Sequence, residues 1–438
     1  SADAFWVEGQ LTEGVDVNAD IVLDPETQFQ TWEGFGGTFD ESGWVALEQL
    51  EPEERARAMR LLFDANEGAR FAWGSLPIGA DAFALDRYSL DDEDGDLAMD
   101  HFSIERDELH LIPFLDAALN VNPDLRLIAM PWSPPAWMKT TSSMDRGQIR
   151  TDDEVLAAYA LYLARYVEAY ADEGFDIEAI HVQNDITFED DLPSCAWDAV
   201  TLSQFVGEHL GPLFQQREIA SEIWLGAFGE GQYATLPSDV MADPIAAQFV
   251  HGFGLSWDTS SLIPTLRADY GLPIIQTQHE PGNNPWEAST FNPDDAPNDF
   301  AFGERTWVLL KTWLEAGVNA YFAWNMVLDH HDEGLNTVRP WPKNSLLVVD
   351  PTTNSLRATP AYFVFRHFSY FIEPGAVRIL ATAERVSLET LAFKNPDGGV
   401  VAVVHNPDEL DRDVTLEMGE RLWQFGIPAH GWATVNVL

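Results

Sequence analysis

Residues 180–197 read IHVQNDITFEDDLPSCAW, and the first half of this stretch indicates how the chain is built. A short apolar run ends in Gln183, Asn184 and Asp185, where a loop begins. Barrels of parallel strands place catalytic carboxyl groups at such points, where a strand ends and a loop starts. Asn and Asp are also ordinary turn residues, so this stretch alone leaves both interpretations open.

Similar runs recur along the chain at a regular spacing. Eight short apolar or glycine-rich runs are predicted strands, at residues 32–39, 71–79, 125–131, 179–184, 223–228, 249–257, 273–277 and 320–324. Segments with helical periodicity lie between them, among them 50–63, 107–119, 155–170, 202–214 and 305–314. Alternating strands and helices, repeated eight times, are typical of an α/β fold, the (β/α)8 TIM barrel. We therefore predict a barrel over residues 31–372.

The two ends of the chain have a different pattern. β-like runs at 376–380, 387–393, 399–405 and 414–416 are separated by turn residues such as NPDGG at 395–399. Short strands with frequent turn signals predict an antiparallel β-domain. The β-like pieces near the N-terminus need a partner that covers their apolar face. We expect residues 1–30 to join residues 373–438 in one appended β-sandwich.

The charge of the chain excludes some partners. Its 438 residues include 72 acidic and 24 basic ones, which gives a net charge of −48. Such a surface repels nucleic acid and anionic membranes, and no apolar run approaches the roughly 20 residues of a membrane span. Dense carboxylates with very few lysines predict adaptation to high salt, where a Debye length of roughly 3 Å at 1 M screens their repulsion. The alternative is a merely acidic, highly soluble protein.

Other motifs are weak or missing. Cys195 is the only cysteine, so no disulfide forms within the chain. No signal peptide is visible at the start, and no phosphate-loop or dinucleotide fingerprint occurs, so we predict no cofactor. Residues 330–333, HHDE, are metal-ligand types, but neighbouring histidines on one loop rarely converge on one ion without other ligands. We predict no metal site.

Polar and aromatic residues occur where the predicted strands end. These ends carry Asp81, Trp132, Trp137, Asn184, Asp185, Trp257, Asp258, Gln278, Glu280 and Trp324. Tryptophan faces beside carboxylates and amides suit sugar binding, because the C–H face of a sugar ring stacks while its hydroxyls form hydrogen bonds. A single tryptophan is more often a core residue. Four at strand ends predict a cleft for a carbohydrate.

Several motifs resemble glycoside hydrolase family 30, the glucosylceramidase-like and β-1,6-glucanase-like enzymes. They are QTWEGFGG at 30–37, PWSPPAWMK at 131–139, VQN at 182–184, LGP at 210–212, WNMVL at 324–328 and RHFSYFIEPG at 366–375. The resemblance covers nearly the whole chain and implies a (β/α)8 barrel with a β-sandwich built from both chain ends. It also implies a retaining β-glycosidase without a metal, and a secreted or periplasmic location.

The chain departs from the family pattern at both catalytic positions. The resemblance implies an acid/base glutamate after the fourth strand, where Asp185 stands, and a glutamate nucleophile after the seventh, where Gln278 stands. An amide has no anionic oxygen that could attack an anomeric carbon. Ser75 replaces a usual arginine, and SWD at 256–258 replaces the HWY of some members. Ala82 occupies the place of a sugar-binding aspartate, unless a shift of one residue gives that role to Asp81.

Three explanations of Gln278 stay open. It is an engineered Glu→Gln replacement, or the chemistry has moved, or the chain binds a sugar without cleaving it. In the second case the carboxylates are Asp258 and Glu280, which shares a face with Gln278 if the strand continues. With the shorter Asp185, the carboxyl groups are then further apart, which favours an inverting reaction.

The leading prediction is hydrolysis of a β-linked glycan or glycoside, with Asp185 as general acid. Gln278 marks the nucleophile position, and Asn184, Trp132 and Trp324 hold the sugar, as the resemblance implies. The alternative is a catalytically silent glycan-binding protein on the same scaffold. The sequence does not indicate the sugar, the linkage or the oligomeric state.

Overall fold

A computed structural model describes residues 6–14, 18–187, 189–229, 234–279, 300–329, 335, 345–384 and 387–437. The strands of this part are β1 (Thr12–Glu13), β2 (Ile21–Thr31), β3 (Gly34–Thr38), β4 (Trp73–Ile78), β5 (Arg126–Pro131), β6 (Ile177–His181), β7 (Glu222–Phe228), β8 (Val250–Leu255), β9 (Ile274–Gln276), β10 (Ala320–Ala323), β11 (Val327–Asp329), β12 (Leu347–Asp350), β13 (Ser355–Ala358), β14 (Val377–Ala383), β15 (Glu389–Lys394), β16 (Val400–Asn406), β17 (Arg412–Met418), β18 (Arg421–Ile427) and β19 (Gly431–Val437).

The helices alternate with the strands of the barrel. They are α1 (Glu41–Glu48), α2 (Pro52–Phe63), α3 (Leu111–Leu119), α4 (Asp153–Asp172), α5 (Ala199–Gln204), α6 (Gly211–Gln216), α7 (Leu236–Met241), α8 (Pro244–Ala247), α9 (Ile263–Tyr270), α10 (Phe300–Ala316) and α11 (Pro360–Ser369). A π-helical segment, Phe205–Leu210, joins α5 to α6. In the described ranges, no helix is both long and apolar enough to cross a membrane.

Strands β3 to β10 close into a barrel in the order β10-β3-β4-β5-β6-β7-β8-β9, and the neighbouring strands are parallel. Such strands are covered on both faces, which explains why every residue of β4 is buried. One cluster of apolar side chains from the barrel strands is separate from the main core, and it contains Trp73, Ile128, Ala179, Trp224, Ile275, Ala320 and Phe322. The prediction of a (β/α)8 barrel is confirmed.

A second sheet combines strands from both chain ends. Its eight strands run in the order β1-β18-β17-β2-β14-β15-β16-β19. The pairs are antiparallel except for β17 with β2, which is parallel. The prediction of an appended antiparallel β-domain is confirmed. The sequence analysis did not predict β18 and β19, nor a small third sheet in the order β11-β12-β13.

The β-domain packs against helices α10 and α11 of the barrel. The indole N–H of Trp307 on α10 donates to Glu389 Oε2 of β15 at 2.5 Å, and its ring lies 5.4 Å from His405 on β16. On α11, the carbonyl oxygen of His367 accepts from Thr434 Oγ1 at 2.8 Å. The imidazole Nδ1 of His367 also lies 2.9 Å from Thr434 Oγ1, and burial lowers the pKa of this imidazole to about 3, so it is neutral. Buried rings and hydrogen bonds therefore join the two parts of the chain.

One carboxyl group lies in the interior among tyrosines. Asp107 is fully buried, and its two oxygens accept from the hydroxyls of Tyr88 and Tyr170, each at 2.9 Å. Burial raises the pKa of Asp107 to about 7, although both tyrosine hydrogen bonds lower it. The folded state therefore binds this proton more tightly than the unfolded chain does.

This carboxyl group predicts how stability changes with pH. Because the pKa in the folded state lies above the ordinary value of 3.8, its contribution is fully present at low pH. It is lost as the pH rises towards about 7. In the parent chain, the free energy of unfolding should therefore fall between pH 5 and pH 8. In Asp107→Asn this fall should be smaller by roughly 2 kcal/mol, measured by urea denaturation at both pH values.

Asp116→Asn is the matched control, since Asp116 is exposed on α3. It should leave the pH dependence as in the parent chain. An unchanged pH dependence in Asp107→Asn would show that Asp107 does not hold its proton in the folded state.

Candidate active site

The aromatic residues at the strand ends form a compact group. Phe83, Trp132, Trp257 and Trp324 lie in or against one hydrophobic cluster, called the aromatic cluster below. Trp324, which follows β10, contacts the other three, with ring centroids at 5.4 Å from Phe83, 6.2 Å from Trp132 and 5.9 Å from Trp257. The structure thus brings together three of the four tryptophans predicted for a sugar cleft.

Trp137, the fourth, lies elsewhere. A short 3-10 helix, Ala136–Met138, carries it into the main core of the barrel domain. Its indole N–H donates to the carbonyl oxygen of Asp91 at 3.1 Å. The structure does not place Trp137 in the aromatic cluster, so it gives no support to its predicted role in substrate binding.

Two amide side chains join the ends of the fourth and seventh barrel strands. Gln278 is 2 % exposed, and its Nε2 donates to Asn184 Oδ1 at 3.2 Å. The backbone N–H of Asn184 donates to the carbonyl oxygen of Pro131 at 2.8 Å, which fixes Asn184 against the end of β5. The predicted nucleophile position therefore lies directly beside the residue that precedes Asp185.

Asp185 has an unusual backbone conformation. Its φ of +41° lies in the left-handed region, which Asp tolerates better than most residues. The half-buried carboxyl group accepts a hydrogen bond from Ser256 Oγ, 3.1 Å from Oδ1. A Cβ atom on Gly229 would lie 2.7 Å from the same oxygen, so the chain after β7 needs a glycine here. Neighbouring strand ends thus hold this carboxyl group from two sides.

Asp81 follows β4 and is 1 % exposed. Its Oδ1 accepts from the backbone N–H of Phe83 at 2.9 Å, which places it beside a member of the aromatic cluster. Burial raises the pKa of Asp81 to about 7, and the negative charge of Glu41 adds to this effect. Near neutral pH, Asp81 can therefore both donate and accept hydrogen bonds.

Three of the residues predicted for the sugar cleft each have a buried polar atom without a hydrogen-bond partner within the described part of the chain. These atoms are Asp81 Oδ2, Gln278 Oε1 and Trp324 Nε1. An unsatisfied buried donor or acceptor costs about 1–3 kcal/mol, so most such groups in proteins are paired. Two acceptors and one donor next to flat aromatic faces are what a ligand rich in hydroxyl groups would satisfy.

The remaining predicted residues are exposed or lie outside the described ranges. Asp258 is exposed and precedes the 3-10 helix Thr259–Leu262. Strand β9 ends at Gln276, so the expected continuation of the strand towards Glu280 does not occur over 277–279. Glu280 itself and residues 330–333 lie outside the described residues. Among the residues that are described, no group of three or more His, Cys, Asp or Glu side chains is arranged to bind a metal ion.

Two residues important for the site had no assigned role in the sequence analysis. Ser256 appeared there only as a departure from a family histidine, although its place after β8 was a signal for the site. Lys139 appears there as the last residue of the motif at 131–139 and has no assigned role. It is buried, and its Nζ donates to the carbonyl oxygens of Met144, at 2.7 Å, and Ser194. Burial lowers the pKa of Lys139 to about 8. The lysine thus ties the loop after β5 to the loop after β6.

A pocket with a mixed lining lies next to the loop that follows Asp185. It has a volume of about 470 Å³, and its lining residues are Gln148, Thr187, Glu189, Ala196, Trp197, Asp198, Ala199, Thr235, Leu236 and Asp239. Trp197 links the pocket to the strand end, because its indole N–H donates to Gln183 Oε1 at 3.4 Å. This size is typical of small-molecule sites, and polar and apolar groups share the lining.

Several proteins of known sequence or structure are similar to this chain over most of its length. Lysosomal acid glucosylceramidase of Mus musculus is 26% identical, over 90% of this chain and 79% of its own. Endo-1,6-beta-D-glucanase of Neurospora crassa is 26% identical, over 94% of this chain and 86% of its own. The crystal structure of SrfJ from Salmonella typhimurium has the same fold, with a TM-score of 0.86 at 24% identity, over 98% of this chain and 95% of that one.

Family models match both parts of the chain. The model of the glycosyl hydrolase family 30 TIM-barrel domain matches residues 32–372. The model of the glycosyl hydrolase family 30 beta sandwich domain matches residues 375–435. These two matches cover the barrel and the β-domain described above, and they confirm the resemblance seen in the sequence motifs. The chain belongs to glycosyl hydrolase family 30.

Proposed function

We propose that this chain hydrolyses a β-linked glycan or glycoside, with the sugar held at the aromatic cluster and Asp185 as the proton donor. The observation that carries this proposal is a set of three buried atoms that have no partner in the described ranges, Asp81 Oδ2, Gln278 Oε1 and Trp324 Nε1. Sugar hydroxyls can pair with all three, while the apolar face of the ring packs on the indoles.

The position of Asp185 supports its role as acid. It is the carboxyl group adjacent to the Asn184–Gln278 amide pair, and it is half-buried at the end of a barrel strand. Family membership adds support, because the relatives include a glucosylceramidase and an endo-1,6-beta-D-glucanase. Protonation of the leaving oxygen by a carboxylic acid is the step that these bonds require.

Gln278 determines the route of attack. Its amide cannot form a covalent glycosyl intermediate, so the two-step retaining route is closed in this chain. Direct attack by water is the route that remains. The Oε1 of Gln278, which has no partner in the described ranges, can accept a hydrogen bond from that water on the side opposite to the leaving group. As the water attacks, the carboxylate of Asp258, just after the end of the neighbouring strand β8, takes the proton that the water loses. The product then has the inverted anomeric configuration.

The pocket next to the loop that follows Asp185, with a volume of about 470 Å³, has room for a leaving group. Its lining is mixed. Carboxylates, an amide and two threonine hydroxyls line one part, and Trp197, Leu236 and two alanines line the rest. The polar groups can pair with the hydroxyls of a sugar unit, while the apolar groups can pack against its C–H face.

A second candidate function is silent glycan binding. Its supporting observation is the hydrogen bond from Gln278 Nε2 to Asn184 Oδ1, because a neutral amide pair binds a sugar without offering a nucleophile. Both functions use the same cleft. Release of product distinguishes them.

The substrate class and the charge also bear on location. A polymeric glucan does not cross a membrane, so acting on it places the protein outside the cytoplasm. The net charge of −48 supports adaptation to a saline environment, where screening weakens the repulsion between surface carboxylates.

The first prediction concerns binding. Asp81→Ala should weaken the affinity for β-linked gluco-oligosaccharides by at least about 10-fold, because it removes a buried partner for sugar hydroxyls. Isothermal titration calorimetry in 2 M KCl measures the change. Asp91→Ala is the matched control, since Asp91 is also 1 % exposed, has an unpartnered Oδ2 and lies beside Trp137 rather than the aromatic cluster. Equal losses in both variants would contradict the proposed sugar position.

The second prediction concerns hydrolysis. The chain should release reducing ends from β-glucans in 2 M KCl, and ¹H NMR should show the α-anomer as the first product. Asp185→Asn should lower the rate by at least about 100-fold, because general acid catalysis contributes this much or more.

Gln278→Glu separates the alternatives. If only this variant releases product, and the first product is the β-anomer, Gln278 is a disabled nucleophile and the direct attack by water is wrong. If neither protein releases product from any glycan that raises its melting temperature, the silent binding function replaces the hydrolytic one.

A further inference from the structure

A buried serine hydroxyl contacts the proposed proton donor. Ser256 is 0 % exposed and follows β8 directly. Its Oγ lies 3.1 Å from Asp185 Oδ1 and 3.2 Å from the carbonyl oxygen of Phe228. A serine hydroxyl carries one proton, so it donates fully to only one of these two oxygens at a time.

The carbonyl oxygen of Phe228 does not depend on this hydroxyl. The backbone N–H of Ser256 already donates to it at 2.9 Å, and Thr259 Oγ1 lies 3.2 Å away. The Ser256 proton can therefore follow the charge on Asp185. It points to the carboxylate when Asp185 is ionised. When Asp185 is protonated and donates to Ser256 Oγ, the serine proton turns to Phe228.

We propose that Ser256 is a positioning residue that holds Asp185 Oδ1 in both protonation states of Asp185. Its hydroxyl proton rotates about the Cβ–Oγ bond, and no heavier atom moves. In the proposed hydrolysis, Asp185 gives its proton to the glycosidic oxygen. The bond from C1 to that oxygen breaks, its electron pair stays on the leaving alcohol, and Asp185 becomes a carboxylate. The Ser256 hydroxyl then turns from Phe228 to this carboxylate and stabilises it. This role rests on the proposed function of Asp185.

The surroundings of Asp185 fit this role. Gly229 closes the other side of the carboxyl group, since a Cβ atom there would lie 2.7 Å from Oδ1 and 3.7 Å from Ser256 Oγ. The carboxyl oxygen and the hydroxyl are thus confined in one place. Glu189 and Asp258, charged residues on the adjoining loops, are exposed. They are the same in every variant below, so their influence cancels in the comparison.

The test measures the titration of Asp185 directly. The chain is labelled with [4-¹³C]aspartate, its carboxyl signals are followed against pH by NMR, and the Asp185 signal is assigned by its loss in Asp185→Asn. Ser256→Ala removes a donor to the charged form, so the midpoint should rise by about one pH unit. Ser256→Thr keeps the hydroxyl and should titrate like the parent chain.

Thr259→Val is the matched control. It removes a neighbouring hydroxyl that donates to the carbonyl oxygen of Ser256 at 2.6 Å and lies 3.2 Å from that of Phe228, and it keeps the Ser256 hydroxyl. It should not move the midpoint. Gly229→Ala is an independent second variant for the case that Ser256→Ala does not fold. Its new methyl group should push Asp185 away from Ser256 and move the midpoint in the same direction as Ser256→Ala.

A kinetic measurement then links this residue to the reaction. In Ser256→Ala, the high-pH limb of the kcat/KM profile should shift upward by the same amount as the NMR midpoint. The inference is overturned if the NMR midpoint of Ser256→Ala is unchanged or falls, or if Thr259→Val moves it equally. A chain without hydrolytic activity but with the expected NMR shift refutes the proposed function and leaves the contact between Ser256 and Asp185 intact.

Discussion

The geometry of the site depends on one constraint, the convergence of parallel strand ends on a single face of the closed barrel. Residues far apart in the chain meet there, and the hydrogen bond from Gln278 to Asn184 spans 94 positions of sequence. The bond from Ser256 to Asp185 spans 71. Each of these contacts joins the ends of different strands. A change in the register of any barrel strand would therefore separate the groups that form the site.

Burial governs the chemistry of the carboxyl groups in this strongly acidic chain. The chain has a net charge of −48, and dissolved ions screen the repulsion between carboxylates that are in contact with water. Asp81 and Asp107 lie inside, and burial raises the pKa of each to about 7. The two differ in their partners. Tyrosine hydroxyls satisfy Asp107, whereas one oxygen of Asp81 has no partner in the described ranges. Burial thus raises the pKa both of a carboxyl group that has two tyrosine partners and of one that has an unpaired oxygen in the described ranges.

The fold was predictable because its signal is periodic. The barrel strands are short buried runs between helical segments, and the sequence shows this alternation without any contact information. Strands β18 and β19 were missed because RLWQFGI and GWATVNV mix glycine and polar residues with apolar ones. Their pairing with other strands, rather than their composition, makes them strands. The strands β11, β12 and β13 are only three or four residues long, too short for a periodic pattern to appear.

The site was predictable in its location and only partly in its members. Trp132, Trp257 and Trp324 meet as the strand-end argument requires. Trp137 lies in a 3-10 helix that carries it into the core, a local turn that the sequence motif does not reveal. The link between Ser256 and Asp185 is a long-range contact, so no local pattern indicates it. Position at a strand end was the informative signal, and residue type alone was not.

The most direct test of the account is a crystal structure of the Asp185→Asn variant with a β-linked gluco-oligosaccharide, grown in high salt. The account predicts one glucosyl unit on the aromatic cluster, with its hydroxyls bonded to Asp81, Gln278 and the indole N–H of Trp324. It also predicts that the next glycosidic oxygen lies about 3 Å from the side-chain amide that this variant carries at position 185, the distance of an ordinary hydrogen bond. A sugar bound elsewhere, or these three buried atoms still without partners in the complex, would contradict it.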